Sequence, residues 1–199
     1  NVSESMGLRN ALLDNFERAL TCASTQERQE LLNIVIVGGG ATGVEVAGAL
    51  AEMKKHVLPK DYPDLDKSLL QIYLIEASNR LLAAMSPESS ENVEQYLRSM
   101  GVNVVLNKMV TDYSDYRVKL NDGSEIATRT FIWVSGVMAQ PISNMPKEKI
   151  GRGGRLLVNQ FNQVEGLDGV FSVGDQCLMT SDEKWQNGHP QWAQVALQQ

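Results

Sequence analysis

Three consecutive glycines, Gly38 to Gly40, stand between an apolar run and a segment of helical periodicity in "NIVIVGGGATGVEVAGALAEM". Gly38, Gly40 and Gly43 fit G-x-G-x-x-G with a strand before and a helix after, the setting in which the pattern points to dinucleotide binding. The first glycine permits the sharp turn, the second lets backbone approach a pyrophosphate, and the third lets helix pack closely on strand. Phosphates would then sit on unpaired N–H groups at the helix N-terminus, where the helix dipole favours negative charge. The structural alternative is a tight turn and nothing more. A dinucleotide site also needs an acidic residue at the end of the next strand, to accept from an adenosine ribose hydroxyl. "IYLIEAS" supplies Glu76, 33 positions after Gly43, further than the roughly 20 usual for the motif. The Pro-containing loop 59–68 accounts for the excess. A carboxylate there would repel a 2′-phosphate, so NAD(H) is expected over NADP(H). Arg80 is the nearby residue that could accommodate such a phosphate, and a solvated strand-end carboxylate is the alternative reading of Glu76.

No other residues announce catalysis. His56 and His189 are far apart, no Ser or Cys lies in a nucleophile-elbow context, and no carboxylate pair suggests hydrolysis. Cys22 and Cys177 form neither a C-x-x-C nor a metal cluster, so neither a disulfide framework nor a metal site is expected. Any chemistry would be carried by cofactors. A net charge of −6 removes the electrostatic case for nucleic acid. No apolar run approaches the roughly 20 residues of a membrane span, and the N-terminus does not read as a signal peptide. A cytoplasmic setting is the default. The first residue is not Met, so a processed or cut end is expected.

These residues need a scaffold. Leu8, Leu12, Phe16, Ala19, Leu20 and Ala23 recur at helical spacing and predict one packing helix over 5–30, capped by Ser5. Ile34 to Val37 read as a buried strand. A helix is expected over 42–57, ended by Pro59 and Pro63. "LQIYLIEA" is the next strand, Ser86-Pro87-Glu88 opens a helix that stops at Gly101, and "VNVVLN" is a third strand. "MVTDY", "YRVKL" and "SEIAT" read as an antiparallel meander turning at Asn121-Asp122-Gly123, and "TFIWVSG" as a further buried strand. The expected fold is α/β, a Rossmann-type parallel sheet with a small antiparallel insert. "RLLVNQF" and "GVFSVGD" are two later strand candidates, too few to build a second domain alone.

Four stretches together resemble the two-dinucleotide-binding-domain flavoproteins, and within them the type II single-subunit NADH:quinone oxidoreductases. "IVIVGGGATGVEVAGALAEM" is similar to their NADH-binding turn and helix. "TRTFIWVSGV", with Gly136, is similar to the strand where the chain leaves the NADH domain. "GVFSVGDQC" resembles their second flavin motif, and "HPQWAQVALQQ" their Pro-x-x-Ala-Gln segment near flavin and quinone. The resemblance implies that 31–138 is the NADH-binding domain, that 1–30 is a helix of the flavin domain, and that 139–199 returns to a partial flavin domain. It implies FAD as well as NAD(H) as cofactors, and electron flow from NADH through FAD to a quinone. It places Glu45 near nicotinamide and flavin, Asp175 toward the flavin's ribityl–pyrophosphate part, Gln194 near the isoalloxazine, and Gln194 and Gln198 near the quinone. Read without it, Glu45 is a helix-start carboxylate that suits the dipole, and the glutamines are a polar helix face. In this family an FAD-binding strand, glycine turn and helix come first and a membrane-contacting region comes last. Both are expected outside this chain, which would be the middle of a longer protein and inactive as a dehydrogenase alone. That protein would sit peripherally at the inner face of a membrane, with homo-oligomerisation left open. A soluble ferredoxin- or rubredoxin-reductase type of enzyme and a non-catalytic NAD(H)-binding module are the alternatives.

Overall fold

A computed structural model describes residues 2–191 and 193–198; the side chains of Val2, Ala193 and Gln194 lie outside that description. The chain forms two compact units, Asn1–Gly136 and Val137–Gln199.

The first unit is built on strand β1, Asn33–Val37, buried along its whole length. Such a strand is covered on both faces, which is why it reads as an unbroken apolar run. It pairs in parallel with β2, Gln71–Ile75, on one side and with β7, Thr130–Trp133, on the other. Strand β3, Val102–Val105, adds in parallel to β2, so the sheet order is β3-β2-β1-β7. Side chains alternate between faces along each strand. Ile34, Ile36, Ile72, Leu74 and Ile132 enter one core with Leu12, Phe16, Leu32, Ala47, Leu50 and Leu97 of the helices. Val35, Val37 and Ile75 enter a second core with Val118, Leu120 and Tyr113 of the meander. That meander is β4 (Val110–Ser114), β5 (Arg117–Leu120) and β6 (Glu125–Ala127), antiparallel throughout. The α/β class with a small antiparallel insert therefore stands as expected.

Three local expectations need correction. The helix expected over 5–30 is two helices, α1 (Val2–Thr21) and α2 (Thr25–Leu32). Ser24 breaks the periodicity by taking extended backbone and accepting from the Glu27 N–H, and so caps α2; Ser5 lies inside α1 and starts nothing. Helix α3, Ala41–His56, ends before Pro59, which stands instead in the first turn of a short helix α4, Leu58–Asp61, where proline is tolerated. Helix α5, Pro87–Ser99, is capped by Ser86 and followed by Gly101 at φ +84°, as its sequence signals indicate.

Phe16 of α1 is fully buried and meets Tyr62 edge-on at 5.8 Å. The buried Asn15 donates to Thr130 Oγ1, Asn33 donates to the Ala127 carbonyl, and Thr128 Oγ1 donates to the Asn33 carbonyl. The amino ends of β1 and β7 are closed by these bonds.

In the second unit β8, Leu156–Val158, pairs in parallel with β9, Cys177–Met179. The second strand is not "GVFSVGD". Phe171 makes only an isolated bridge with Gln163, and Gly174, at φ +64°, turns the chain into a 3₁₀ turn, Gly174–Gln176, so that pairing begins at Cys177. Buried Arg155 donates to the Cys177 and His189 carbonyls and fastens this unit. A short helix α6, Ala193–Ala196, ends the described chain.

Candidate functional site: a glycine turn at the sheet's carboxyl edge

The sheet order reverses at β1: the chain adds β2 and β3 on one side and then crosses to β7 on the other. In open α/β sheets ligands bind at the carboxyl ends of the strands where the order reverses. Gly38–Gly40 follow β1 there, Glu76 follows β2, and Ser135-Gly136 follow β7.

The glycines divide the work between them. Gly38 takes φ +116°, and a Cβ on it would lie 2.7 Å from the Ser135 Cα. A Cβ on Gly43 would lie 1.8 Å from the Gly38 carbonyl oxygen, so α3 can sit this close to the turn only with glycine there. Gly40 differs: it is the N-cap of α3 in ordinary extended backbone, and a Cβ there would meet no described atom within 4 Å. The first and third glycines are needed by the fold, while the second faces open space over a helix N-terminus, a geometry suited to a pyrophosphate.

Glu76 is held by backbone. Its Oε2 accepts from the Gly39 N–H at 2.6 Å and its Oε1 from the Ser78 N–H at 2.7 Å. Burial pushes the carboxyl's pKa up, but the bonds from Ser78 and Gly39 outweigh it and hold the group below the usual carboxylate range. An ionised carboxylate with free lone pairs at the end of β2 can accept from ribose hydroxyls. Arg80 donates to the Ala83 carbonyl at 2.6 Å, so its guanidinium is engaged within its own loop.

Gly39 and Ser78 carried no site reading from the sequence. Gly39 occupies an x position of the motif, and the only hint was that it too is glycine. Its Cβ would meet Leu81 Cδ2 at 2.6 Å and Glu76 Cγ at 2.9 Å. Its carbonyl accepts from the Leu82 N–H at 2.8 Å.

The remaining residues fall in two places. Glu45 is exposed on α3, and Gly136 is exposed at φ +135°. In the second unit Asp175 is exposed in the 3₁₀ turn, and its carbonyl accepts from Gln191 Nε2 at 3.2 Å. Ala196 of α6 packs on that turn, where a Cβ on Gly174 would lie 3.3 Å from the Ala196 Cβ. Gln198 is exposed just beyond α6; the side chain of Gln194, within α6, lies outside the described residues. No helix among the described residues is long and apolar enough to cross a membrane.

Comparison with known proteins agrees with this geometry. The chain is 34% identical over 206 residues to the type II NADH:quinone oxidoreductase NdhA of Mycobacterium tuberculosis, covering 99% of this chain and 42% of that protein. It is 33% identical to the external alternative NAD(P)H-ubiquinone oxidoreductase B3, mitochondrial, of Arabidopsis thaliana, covering 92% of this chain and 32% of that one. The chain thus spans about two fifths or less of the length of these relatives. Among solved structures, NDH2 from Plasmodium falciparum in complex with NADH has the same fold, with a TM-score of 0.79 at 22% identity over 90% of this chain and 39% of that one. The model of the pyridine nucleotide-disulphide oxidoreductases matches residues 5–199, from α1 through the glycine turn to α6. With the reversed sheet, the turn and the strand-end acid all inside that match, the chain belongs to the pyridine nucleotide-disulphide oxidoreductase family.

Proposed function

We propose that this chain is the NADH-binding part of an FAD-dependent NADH dehydrogenase that passes electrons from NADH through FAD to a quinone. The observation that carries the reading is the open face of Gly40 at the start of α3, on the same sheet edge as a backbone-held Glu76. It fits a dinucleotide whose pyrophosphate lies over the turn and whose adenosine ribose donates to the carboxylate. When bound, the nicotinamide supplies a hydride and the flavin accepts it ahead of the quinone. The names of the two relatives above carry a quinone acceptor, which favours quinone over a ferredoxin- or rubredoxin-type acceptor.

In this reading Gly38 and Gly43 shape the turn, Gly40 admits the pyrophosphate, and Gly136 leaves room beside β7 for the nicotinamide half. Glu45 lies toward the nicotinamide and flavin. Residues 31–138 form the nucleotide domain, the helices of 1–30 pack into its core rather than with a flavin part, and 139–199 belong with the flavin part of the longer protein. Asp175 faces the ribityl–pyrophosphate of FAD, Gln194 the isoalloxazine, and Gln194 and Gln198 the quinone. The longer protein meets the inner face of a membrane peripherally, through a region outside this chain, and homo-oligomers are compatible with that arrangement.

The test is the full-length protein, purified and assayed with NADH and a short-chain quinone. Stoichiometric FAD and quinone-dependent NADH oxidation support the reading. Purification without FAD, or flavin reduction without quinone turnover, contradicts it.

A further inference from the structure

We infer that the cavity between the carboxyl ends of α3 and α5 is a second ligand site, one that takes a small phosphate-bearing polyanion on Lys54, Lys55 and Lys67. The cavity has a volume of about 500 Å³ and lies wholly within the first unit. That is within the range of small-molecule sites, roughly 300–1,000 Å³. Lys54 and Lys55 stand in the last turn of α3, Lys67 in the loop after α4, and Tyr96 near the end of α5. Helix α3 has 16 residues and is about 24 Å long, so the cavity lies at the other end of that helix from the glycine turn.

The positive charge there is unmatched. The chain carries a net charge of −6, yet three ammonium groups border this one space. Among the described residues none of the three has an ion-pair partner. The lining carboxylate, Glu52, lies 3.3 Å from His56 Nε2 instead. Asp66, next to Lys67 in sequence, accepts from the N–H and the hydroxyl of Ser68. Lys54 is half-buried and its Nζ donates to the Leu70 carbonyl, which leaves two of its three N–H groups for a ligand. Burial lowers its pKa, with no carboxylate set against that effect.

The favourable placement of cations at a helix C-terminus explains Lys54 and Lys55. It does not explain Lys67, which comes from a different element, nor why all three border a cavity. Phosphate suits them better than carboxylate. Lysine offers a point charge with rotatable donors, and no arginine among the described residues lines the cavity to grip a carboxylate with a planar fork. Three cations around one space match a ligand with more than one phosphate. Ala51 and Met100 supply an apolar wall and the exposed Tyr96 a free ring, so the phosphates can be carried on an organic frame.

The experiment acetylates the 199-residue chain with a trace of acetic anhydride and reads each lysine by mass spectrometry. Inorganic tripolyphosphate is the probe, and sodium sulfate at equal ionic strength is the control. Tripolyphosphate should protect Lys54, Lys55 and Lys67 and leave the exposed Lys147 of the second unit unprotected. Sulfate should protect none of them. Lys55 and Lys67 are exposed, so Lys55→Ala/Lys67→Ala leaves the core intact, which circular dichroism checks. In calorimetric titration the double variant should bind tripolyphosphate about tenfold more weakly for each lysine removed, and its Lys54 should lose protection. Gly40→Val, which closes the proposed pyrophosphate site, should keep the protection, and NADH should neither reproduce nor abolish it. Absence of protection, equal protection by sulfate, or protection of Lys54 that survives in the double variant would overturn the site. Loss of protection in Gly40→Val, or displacement by NADH, would place the anion in the glycine turn and overturn it too. The pattern of protection in the unmutated chain decides the matter even where a variant fails to fold.

Discussion

Gly43 lies so close beneath Gly38 that a methyl group on it would sit 1.8 Å from the Gly38 carbonyl oxygen. No rotamer change relieves such a contact, because both partners are backbone. Gly43→Ala must therefore push α3 off the turn, with a loss of about 3 kcal/mol, the upper end for overpacking. Gly40→Val places its side chain in open space and should leave stability within about 1 kcal/mol while abolishing NADH binding. Urea unfolding and nucleotide titration of the two variants separate these effects. Unfolding of Gly40→Val, or NADH binding by it, would contradict the division of roles.

Glu76 should set the nucleotide preference. Removing its charge removes repulsion of a 2′-phosphate and also an acceptor for the ribose, so Glu76→Ala is expected to weaken NADH binding about tenfold. The NADH over NADPH preference should narrow or reverse. An unchanged ratio of the two dissociation constants would show that the carboxylate does not face the ribose.

Acid should act through the same group. The folded pKa of Glu76 is depressed below its ordinary 4.5, so its ionisation stabilises the fold above the unfolded pKa. That contribution is lost as pH falls through the lower, folded value. NADH affinity should accordingly stay flat through the ordinary carboxylate range and decline only as pH falls through the depressed, folded pKa of Glu76. Glu76→Gln should lack the acid decline. A decline in the neutral range that persists in Glu76→Gln would assign it to another group.

Helix α1 contributes to the stability of the nucleotide unit. Phe16 is buried in the core that holds Ile34 and Leu74, so Phe16→Ala should cost about 3–5 kcal/mol. Truncation before residue 25 should destabilise the glycine turn with it. A truncated chain with an unchanged unfolding midpoint would contradict this packing.

The second unit exposes Met138, Phe161, Phe171 and Leu197. Apolar side chains this open favour association, and the isolated chain is expected to self-associate at high concentration. Phe161→Ser/Phe171→Ser should reduce it in sedimentation experiments; equal association would place the contact elsewhere.

The sheet was legible because unbroken β-branched apolar runs and the glycine motif answer to local rules. Ile34 to Val37 and the Asn121-Asp122-Gly123 turn are specified by residue type alone. The split of 5–30 into two helices was not, because Ser24 serves equally as a helical surface residue or a cap until α2 packs. The strand at Cys177–Met179 was displaced from "GVFSVGD" because Gly174 takes a left-handed φ that apolar pattern does not reveal. In the site, Glu76 could be found by its place at a strand end. Gly39 and Ser78 act through backbone N–H groups, which every residue but proline carries, so residue type could not mark them.

The most direct measurement is calorimetric titration of the 199-residue chain with NADH and with NADPH. The account predicts one NADH per chain and weaker NADPH. No NADH binding, or equal affinity for the two, would contradict it.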